Sequence, residues 1–141
     1  QIIQENGIKY INDSYNANPE SMEAVLSSFE SYASGRKIGI LGDMLELGEF
    51  SKSAHEKIGY IANEALDIAF FIGGQMKYAY DAFGEEKNND IRKYHFIDKN
   101  LAITEIKNII NSGDTVLFKG SRGMKLDELL ASLIENESME G

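Results

Sequence analysis

The seven residues Asp13–Pro19 carry more hydrogen-bonding capacity than a loop needs to change the direction of the chain. They read Asp-Ser-Tyr-Asn-Ala-Asn-Pro and connect a strand predicted over Ile8–Asn12 to a helix predicted to begin at Pro19. Proline suits the first helical position, because the donor that it lacks would be unsatisfied there. Asn18 is a good N-cap, since its side-chain oxygen can accept an amide of the first turn. A cap leaves the acid, the phenol and the other amide unexplained, so we predict a binding loop.

A second run with chemical potential is Lys119-Gly120-Ser121-Arg122-Gly123, which follows a predicted strand and precedes a helix. Glycines allow a ligand to approach backbone amides, and the N-terminus of a helix favours an anion. Arginine can bind a carboxylate or phosphate through two hydrogen bonds, whereas lysine acts as a point charge. In a chain with a net charge of −9, two cations at this position favour an anion-binding site.

A third run, Gly42–Glu49, reads Gly-Asp-Met-Leu-Glu-Leu-Gly-Glu and also follows a predicted strand. Taken alone, it is typical of a loop bounded by glycines, with its leucines packed on the core. On that interpretation Asp43 and Glu46 are solvated acids.

The rest of the chain predicts the strands and helices that would position these loops. Asn6-Gly7 between two β-rich segments predicts a hairpin, because both turn positions require positive φ. Apolar residues at helical spacing alternate with short apolar runs of strand length. Ser53 and Glu56 predict a capping box at the second helix. The strands after the hairpin are predicted at 37–41, 68–72, 94–97 and 115–118, and helical stripes at 22–32, 58–65, 76–83, 102–110 and 126–133.

This alternation predicts an α/β fold, a three-layer, doubly wound, Rossmann-like domain with a mostly parallel sheet. The N-terminal hairpin should add an antiparallel edge strand. Ligands of such sheets bind beyond the carboxyl ends of the strands, where all three loops should meet. We expect one domain over residues 1–135 and a disordered tail over 136–141.

Composition excludes several classes of function. Cysteine is absent, which removes disulfides, thiolate metal sites and cysteine nucleophiles. The negative net charge argues against nucleic acid and against a membrane as partners. The apolar runs are too short for a membrane span and no signal peptide opens the chain, so a cytoplasmic protein is expected.

Other motifs are missing. The chain has no Gly-x-x-x-x-Gly-Lys-Ser/Thr run to hold a triphosphate, and no spacing of acids and histidines that suggests a metal site. His55 is interpreted as a surface residue of a helix and His95 as a strand residue, because neither has an evident acid or serine companion. A complete enzyme is therefore hard to assemble from this chain alone.

Together and in this order, Asp-Ser-Tyr-Asn-Ala-Asn-Pro, Gly-Asp-Met-Leu-Glu-Leu-Gly and Lys-Gly-Ser-Arg resemble the C-terminal domain of the Mur ligases, specifically the MurF type. The resemblance covers essentially the whole chain. It implies a piece of a three-domain enzyme that also has an N-terminal UDP-sugar domain and a central P-loop domain. The implied reaction is the ATP-dependent joining of D-alanyl-D-alanine to UDP-N-acetylmuramoyl-tripeptide in peptidoglycan synthesis, with ATP and Mg²⁺ bound by the full-length enzyme and no cofactor held tightly by this part alone.

The resemblance also implies roles for particular residues. Those facing ATP would be Asp13, Ser14, Tyr15, Asn16 and Asn18. Those binding the carboxylate of D-alanyl-D-alanine would be Lys119, Ser121 and Arg122, while Asp43 and Glu46 would attract its ammonium or order the edge of the sheet. No catalytic residue is assigned to this chain.

Two alternatives remain open at this stage. A phospho-accepting receiver domain has a similar sheet, with an acid after its first strand and a lysine after its last, which Asp13 and Lys119 imitate. It also needs an aspartate after its third strand, where Gly73-Gly74 stands if residues 68–72 are that strand. The other alternative is a binding module that acts alone.

Overall fold

The described residues, 1–13, 17–84, 86–87 and 90–140 of a computed structural model, form strands and helices that alternate along the chain. Six strands make one sheet: β1 (Ile2–Glu5), β2 (Ile8–Asp13), β3 (Lys37–Gly42), β4 (Ile68–Ile72), β7 (Lys93–Phe96) and β8 (Thr115–Lys119). Across the sheet their order is β1-β2-β8-β3-β4-β7, in which β1 is antiparallel and the others are parallel.

Five helices cover the sheet on both faces, which confirms the predicted three-layer α/β fold. They are α1 (Pro19–Tyr32), α2 (Ser51–Ala65), α3 (Met76–Ala82), α4 (Lys99–Ile109) and α5 (Leu126–Glu140). Helices α1, α2 and α3 pack on one face and α4 and α5 on the other, so the core has two halves. Strand β4 is buried along its whole length, as a central parallel strand should be.

The N-terminal hairpin forms as predicted. Asn6 and Gly7 take φ values of 51° and 79°, and β1 then pairs with β2 at the edge of the sheet. A second pair of strands, β5 (Glu86–Lys87) and β6 (Asp90–Ile91), lies in a segment without any predicted element.

The strand order excludes the receiver alternative. In the receiver order 2-1-3-4-5 the last parallel strand lies at an edge. Here the last strand, β8, lies between the first two parallel strands, β2 and β3. The likeness of Asp13 and Lys119 to receiver residues is therefore a coincidence of residue type and position.

One other detail differs from the sequence predictions. Helix α2 begins at Ser51 directly after a 3-10 turn over Gly48–Phe50, and Phe50 at its N-cap makes no side-chain cap, so the predicted capping box at Ser53 is wrong. Helix α5 runs to Glu140. The end of the domain at residue 135 and the tail over 136–141 stay predictions. Across the described residues, no helix is both long and apolar enough to span a bilayer.

Candidate functional site

The three loops singled out by sequence follow three adjacent strands. Strands β2, β8 and β3 are neighbours, and the register places Asp13 opposite Lys119 and Lys119 opposite Leu41. Because these strands are parallel, the loops after them leave from the same edge of the sheet. The fold thus brings the segments beginning at Asp13, Lys119 and Gly42 together, as predicted. The candidate site is the edge formed by these loops.

An ion pair joins the first two of these loops. Nζ of Lys119 lies 3.1 Å from Oδ2 of Asp13, and the Lys119 side chain is 4% exposed whereas that of Asp13 is 45% exposed. A buried ammonium requires such a partner. The pair therefore fixes the distance between the loop predicted to face ATP and the loop predicted to bind the dipeptide.

At the other end of the first loop, Asn18 caps helix α1. Its Oδ1 accepts the N–H of Ser21 at 2.8 Å, and its own N–H donates to the Ser21 hydroxyl at 3.1 Å, with Pro19 at the first helical position. The predicted cap is confirmed. The predicted residues Ser14, Tyr15 and Asn16 lie outside the residues that the structure describes, so their roles stay predictions.

The loop after β8 contains a buried hydroxyl that no group of the described chain satisfies. Ser121 is 8% exposed, and its Oγ has no hydrogen-bond partner among the described residues. A buried polar atom without a partner costs roughly 1–3 kcal/mol. Arg122 follows, exposed, at the start of a 3-10 turn over Arg122–Met124. An unsatisfied hydroxyl beside an exposed guanidinium is an arrangement suited to an external anion.

Asp43, in the loop after β3, connects that loop to the segment between β4 and α3 by hydrogen bonds. Its N–H donates to the carbonyl of Ile72 at 3.1 Å, and its Oδ1 accepts the N–H of Met76 at 2.8 Å, at the start of α3. Gly73, with φ of 112°, lies so close to this carboxylate that a side chain there would collide with it. These contacts hold the loop after β3 against the segment that follows β4. The roles predicted for Asp43 toward a ligand stay predictions. Glu46 is exposed and has φ of 64°.

Leu45, in the same loop, leans over the loop after β8. A Cβ placed on Gly123 would lie only 3.1 Å from Cδ1 of Leu45, which is itself 46% exposed. Leu47 packs against the core as expected, but Leu45 does not. Leu45 thus adds an apolar surface to the candidate site, against Gly123, the residue that follows Arg122. The prediction that Leu45 packs on the core is wrong.

His55 is buried, so its interpretation as a surface residue is wrong. It is fully inaccessible, its Nε2 lies 3.1 Å from the N–H of Met44, and its Nδ1 lies 2.7 Å from the carbonyl of Ser51. A signal for this was present, since His55 precedes Ile58 by three residues and Ala62 by seven, on the apolar stripe of α2. His95 is a strand residue as predicted, and its Nε2 lies 2.7 Å from the carbonyl of Gly73.

A cavity of about 900 Å³ lies at the opposite end of the sheet. Its walls include Arg36, Asp67, Arg92 and Tyr94, near the amino ends of β3, β4 and β7. None of the sequence-predicted site residues that the structure describes lines it. We place the candidate site at the carboxyl ends of the strands because the loop motifs and the unsatisfied hydroxyl lie there. Among the described residues, no cluster of three acids or histidines could hold a metal ion.

The fold and this edge define an α/β domain with a candidate ligand site at the carboxyl ends of its strands. Comparison with known proteins gives the family. The Mur ligase, glutamate ligase domain family matches residues 1–122. The chain therefore belongs to the Mur ligase family and corresponds to its C-terminal domain.

Individual relatives agree with this placement. The UDP-N-acetylmuramoyl-tripeptide--D-alanyl-D-alanine ligase of Bacillus subtilis (strain 168) is 37% identical over 137 residues, covering 96% of this chain and 30% of that protein. A crystal structure of MurF from Acinetobacter baumannii matches with a TM-score of 0.84 and 29% identity, over 96% of this chain and 30% of that one. MurF ligase from Thermotoga maritima, solved in complex with ADP, has a TM-score of 0.81 and 23% identity, over 99% of this chain and 31% of that one, which is evidence for the fold.

The chain thus spans less than a third of the length of these relatives.

Proposed function

We propose that this chain is the C-terminal domain of an ATP-dependent ligase that joins D-alanyl-D-alanine to UDP-N-acetylmuramoyl-tripeptide in peptidoglycan synthesis. The Bacillus subtilis relative carries the name of that reaction. The observation that carries the proposal is the meeting of three motif loops on adjacent strands, with the unsatisfied Ser121 hydroxyl among them. Central P-loop and UDP-sugar domains, supplied by the full-length protein, would complete the active site.

For the dipeptide, the proposed anchor is the loop after β8. A free carboxylate could accept a hydrogen bond from the Ser121 hydroxyl and two from the Arg122 guanidinium. Lys119 would act through its charge, because its ammonium is buried against Asp13. Glu46, exposed on the neighbouring loop, would attract the ammonium of the dipeptide. The amine that must act as nucleophile would then be held at a fixed distance from its carboxylate.

For ATP, the proposed wall is the loop that begins at Asp13. The described residues offer one half-exposed carboxylate and the capped start of α1, and they contain no cradle for a triphosphate. That composition fits a domain which covers a nucleotide held mainly elsewhere. ATP would supply the phosphoryl group that activates the acceptor carboxylate. The residues of this chain would position and enclose the reactants, which is most of what phosphoryl transfer requires. Mg²⁺ would be held chiefly by other parts of the full-length protein.

The test is a calorimetric titration of the full-length protein with D-alanyl-D-alanine, in the presence and absence of a non-hydrolysable ATP analogue. We expect D-alanyl-D-alanine to bind and L-alanyl-L-alanine to bind much more weakly. We also expect the analogue to strengthen dipeptide binding, because both ligands would hold this domain against the rest of the enzyme. Failure of the full-length protein to bind or join D-alanyl-D-alanine would overturn the proposal.

The same proposal makes a statement about the chain by itself. Since this chain would form only one wall of the ATP site, the 141-residue chain by itself should hydrolyse ATP no faster than buffer does. Robust turnover by this chain alone would contradict the division of the active site between domains.

A further inference from the structure

We propose that His55 is a positioning residue, which as the neutral Nδ1–H tautomer fixes the loop after β3 and so sets one wall of the candidate dipeptide site. The proposal rests on the proposed function for the identity of the ligand. The positioning itself rests on the geometry alone. His55 is fully buried in α2, eleven residues beyond the amide that it holds.

Two hydrogen bonds determine the protonation of the ring. The backbone N–H of Met44 can only donate, so Nε2 at 3.1 Å must accept and carry no proton. The carbonyl of Ser51 can only accept, so Nδ1 at 2.7 Å must carry the proton.

The chain of contacts continues to the next loop. The Ser51 hydroxyl lies 3.2 Å from Nδ1 of His55 and donates to Oε1 of Gln75 at 2.7 Å. Gln75 stands at the N-cap of α3, whose Met76 amide is held by Asp43. The loops after β3 and β4 are thus joined twice, once through the imidazole and once through a carboxylate.

The segment held in this way carries the exposed face of the site. Met44 is 1% exposed, whereas the next two residues, Leu45 and Glu46, are exposed. Leu45 lies against Gly123, the residue after Arg122. Fixing the amide of Met44 therefore fixes where Leu45 and Glu46 stand relative to the proposed anchor of the dipeptide carboxylate. Without the hydrogen bond from His55, Leu45 and Glu46 would move relative to the loop after β8, which would stay in place.

The test uses the full-length protein and three variants. His55→Leu removes both hydrogen bonds, and His55→Gln restores an acceptor for the Met44 amide. Ile58→Ala is the matched control, since Ile58 is 1% exposed, lies one turn further along α2 and has an apolar side chain that cannot hydrogen-bond to the loop. We expect His55→Leu to raise the KM for D-alanyl-D-alanine at least tenfold while the KM for ATP changes less than threefold. His55→Gln should recover most of that loss, and Ile58→Ala should lower Tm without this selective effect.

Two measurements stand independently of ligase activity. Nitrogen-15 histidine spectra should show one ring protonated at Nδ1 alone, and that signal should disappear in His55→Gln. Hydrogen exchange of the segment 43–47 should be at least tenfold faster in His55→Leu and unchanged in Ile58→Ala.

The proposal is overturned if the His55 ring is protonated at Nε2, or if His55→Leu does not change the hydrogen exchange of segment 43–47. It is also overturned if His55→Leu and Ile58→Ala raise the KM for D-alanyl-D-alanine equally. Absence of any ligase activity in the wild-type protein would instead remove the proposed function, and the spectra and exchange would still decide whether His55 positions the loop.

Discussion

The two ends of the parallel strands both hold charged side chains that are wholly or partly buried, so they can be compared directly. At the amino ends, Arg36 makes a two-pronged contact with Asp114, at 3.1 and 2.8 Å, and also donates to the carbonyl of Ile109. The hydrogen bond to Asp114 raises the pKa of Arg36 above its ordinary value. Arg92, 9% exposed, donates to the carbonyls of Leu66 and Asp67. Each of these groups is satisfied within the chain.

At the carboxyl ends the same chemistry is left incomplete. Lys119 and Asp13 satisfy each other, but the buried hydroxyl of Ser121 has no hydrogen-bond partner in the described part of the chain. The difference teaches where to look for function. Charged residues that pair with one another hold the fold together, whereas a buried polar group without a partner marks a place to search for a ligand.

Arg122→Ala should give the largest effect on function. Losing a charged partner of the bound carboxylate costs roughly 2–5 kcal/mol of binding free energy. The KM for D-alanyl-D-alanine in the full-length protein should rise accordingly, and far more than the KM for ATP, as steady-state kinetics would show. Arg122→Lys should recover only part of the loss, because it keeps the charge and loses the fork. Equal increases for both substrates would assign Arg122 a different role.

Arg92→Met should give the reverse pattern at the other end of the sheet. It keeps an apolar side chain against Phe83, over whose ring the guanidinium lies at 4.7 Å, but leaves buried carbonyls without donors. Urea denaturation should show a loss of roughly 2–4 kcal/mol in the free energy of unfolding. The dipeptide KM should stay within twofold of wild type. A selective rise in that KM would erase the contrast between the two ends.

Ser121→Ala should separate stability from function at a single residue. Removing a buried hydroxyl that lacks a partner should leave the free energy of unfolding unchanged or raise it by about 1 kcal/mol. The same substitution should raise the dipeptide KM by roughly fivefold to tenfold, the value of one hydrogen bond. Ser27→Ala, at an exposed position in α1, should change neither quantity. A clear loss of stability in Ser121→Ala would mean that the hydroxyl is satisfied within the fold.

The smallest effect concerns pH. Burial raises the pKa of Tyr94 above its ordinary value of 10.0, with the charge of Glu105 adding to the shift. Above that ordinary value the unfolded chain loses the phenolic proton before the folded chain does, so this contribution to stability is present below pH 10 and is lost as pH rises through the raised pKa. Tyr94→Phe should therefore show a shallower fall in stability as the pH rises above 10.0, the ordinary pKa of tyrosine. Identical slopes in urea titrations would show that Tyr94 is not shielded from solvent.

Local signals in the sequence predict the strands of the main sheet and the five helices, but not the short pair β5 and β6. The Asn6-Gly7 turn, the cap at Asn18 and the fully apolar run of β4 each depend on neighbouring residues only, and each prediction is confirmed. The strand order could not be predicted in the same way. The position of β8 between β2 and β3 depends on pairs of residues that are 106 apart (such as Asp13 and Lys119) and 78 apart (such as Leu41 and Lys119) in the chain.

The candidate site was predictable as a set of loops, because parallel strands must present their carboxyl ends together. Its internal contacts were not. The pairing of Asp13 with Lys119 requires the strand order, and the burial of His55 requires knowing which loop folds over α2. Leu45 was assigned to the core because an apolar residue in a loop usually packs inward; here Leu47 does so and leaves Leu45 against Gly123.

The close approach of two glycines has a mechanical consequence. A Cβ on Gly120 would lie 3.3 Å from Cα of Gly42 and 2.7 Å from Cδ1 of Leu126, so the ends of β8 and β3 and the start of α5 are wedged together. A strand-to-helix junction packed this tightly leaves no room for a hinge. Arg122, two residues beyond Gly120, should therefore move with the body of this domain and not about a local hinge at the junction.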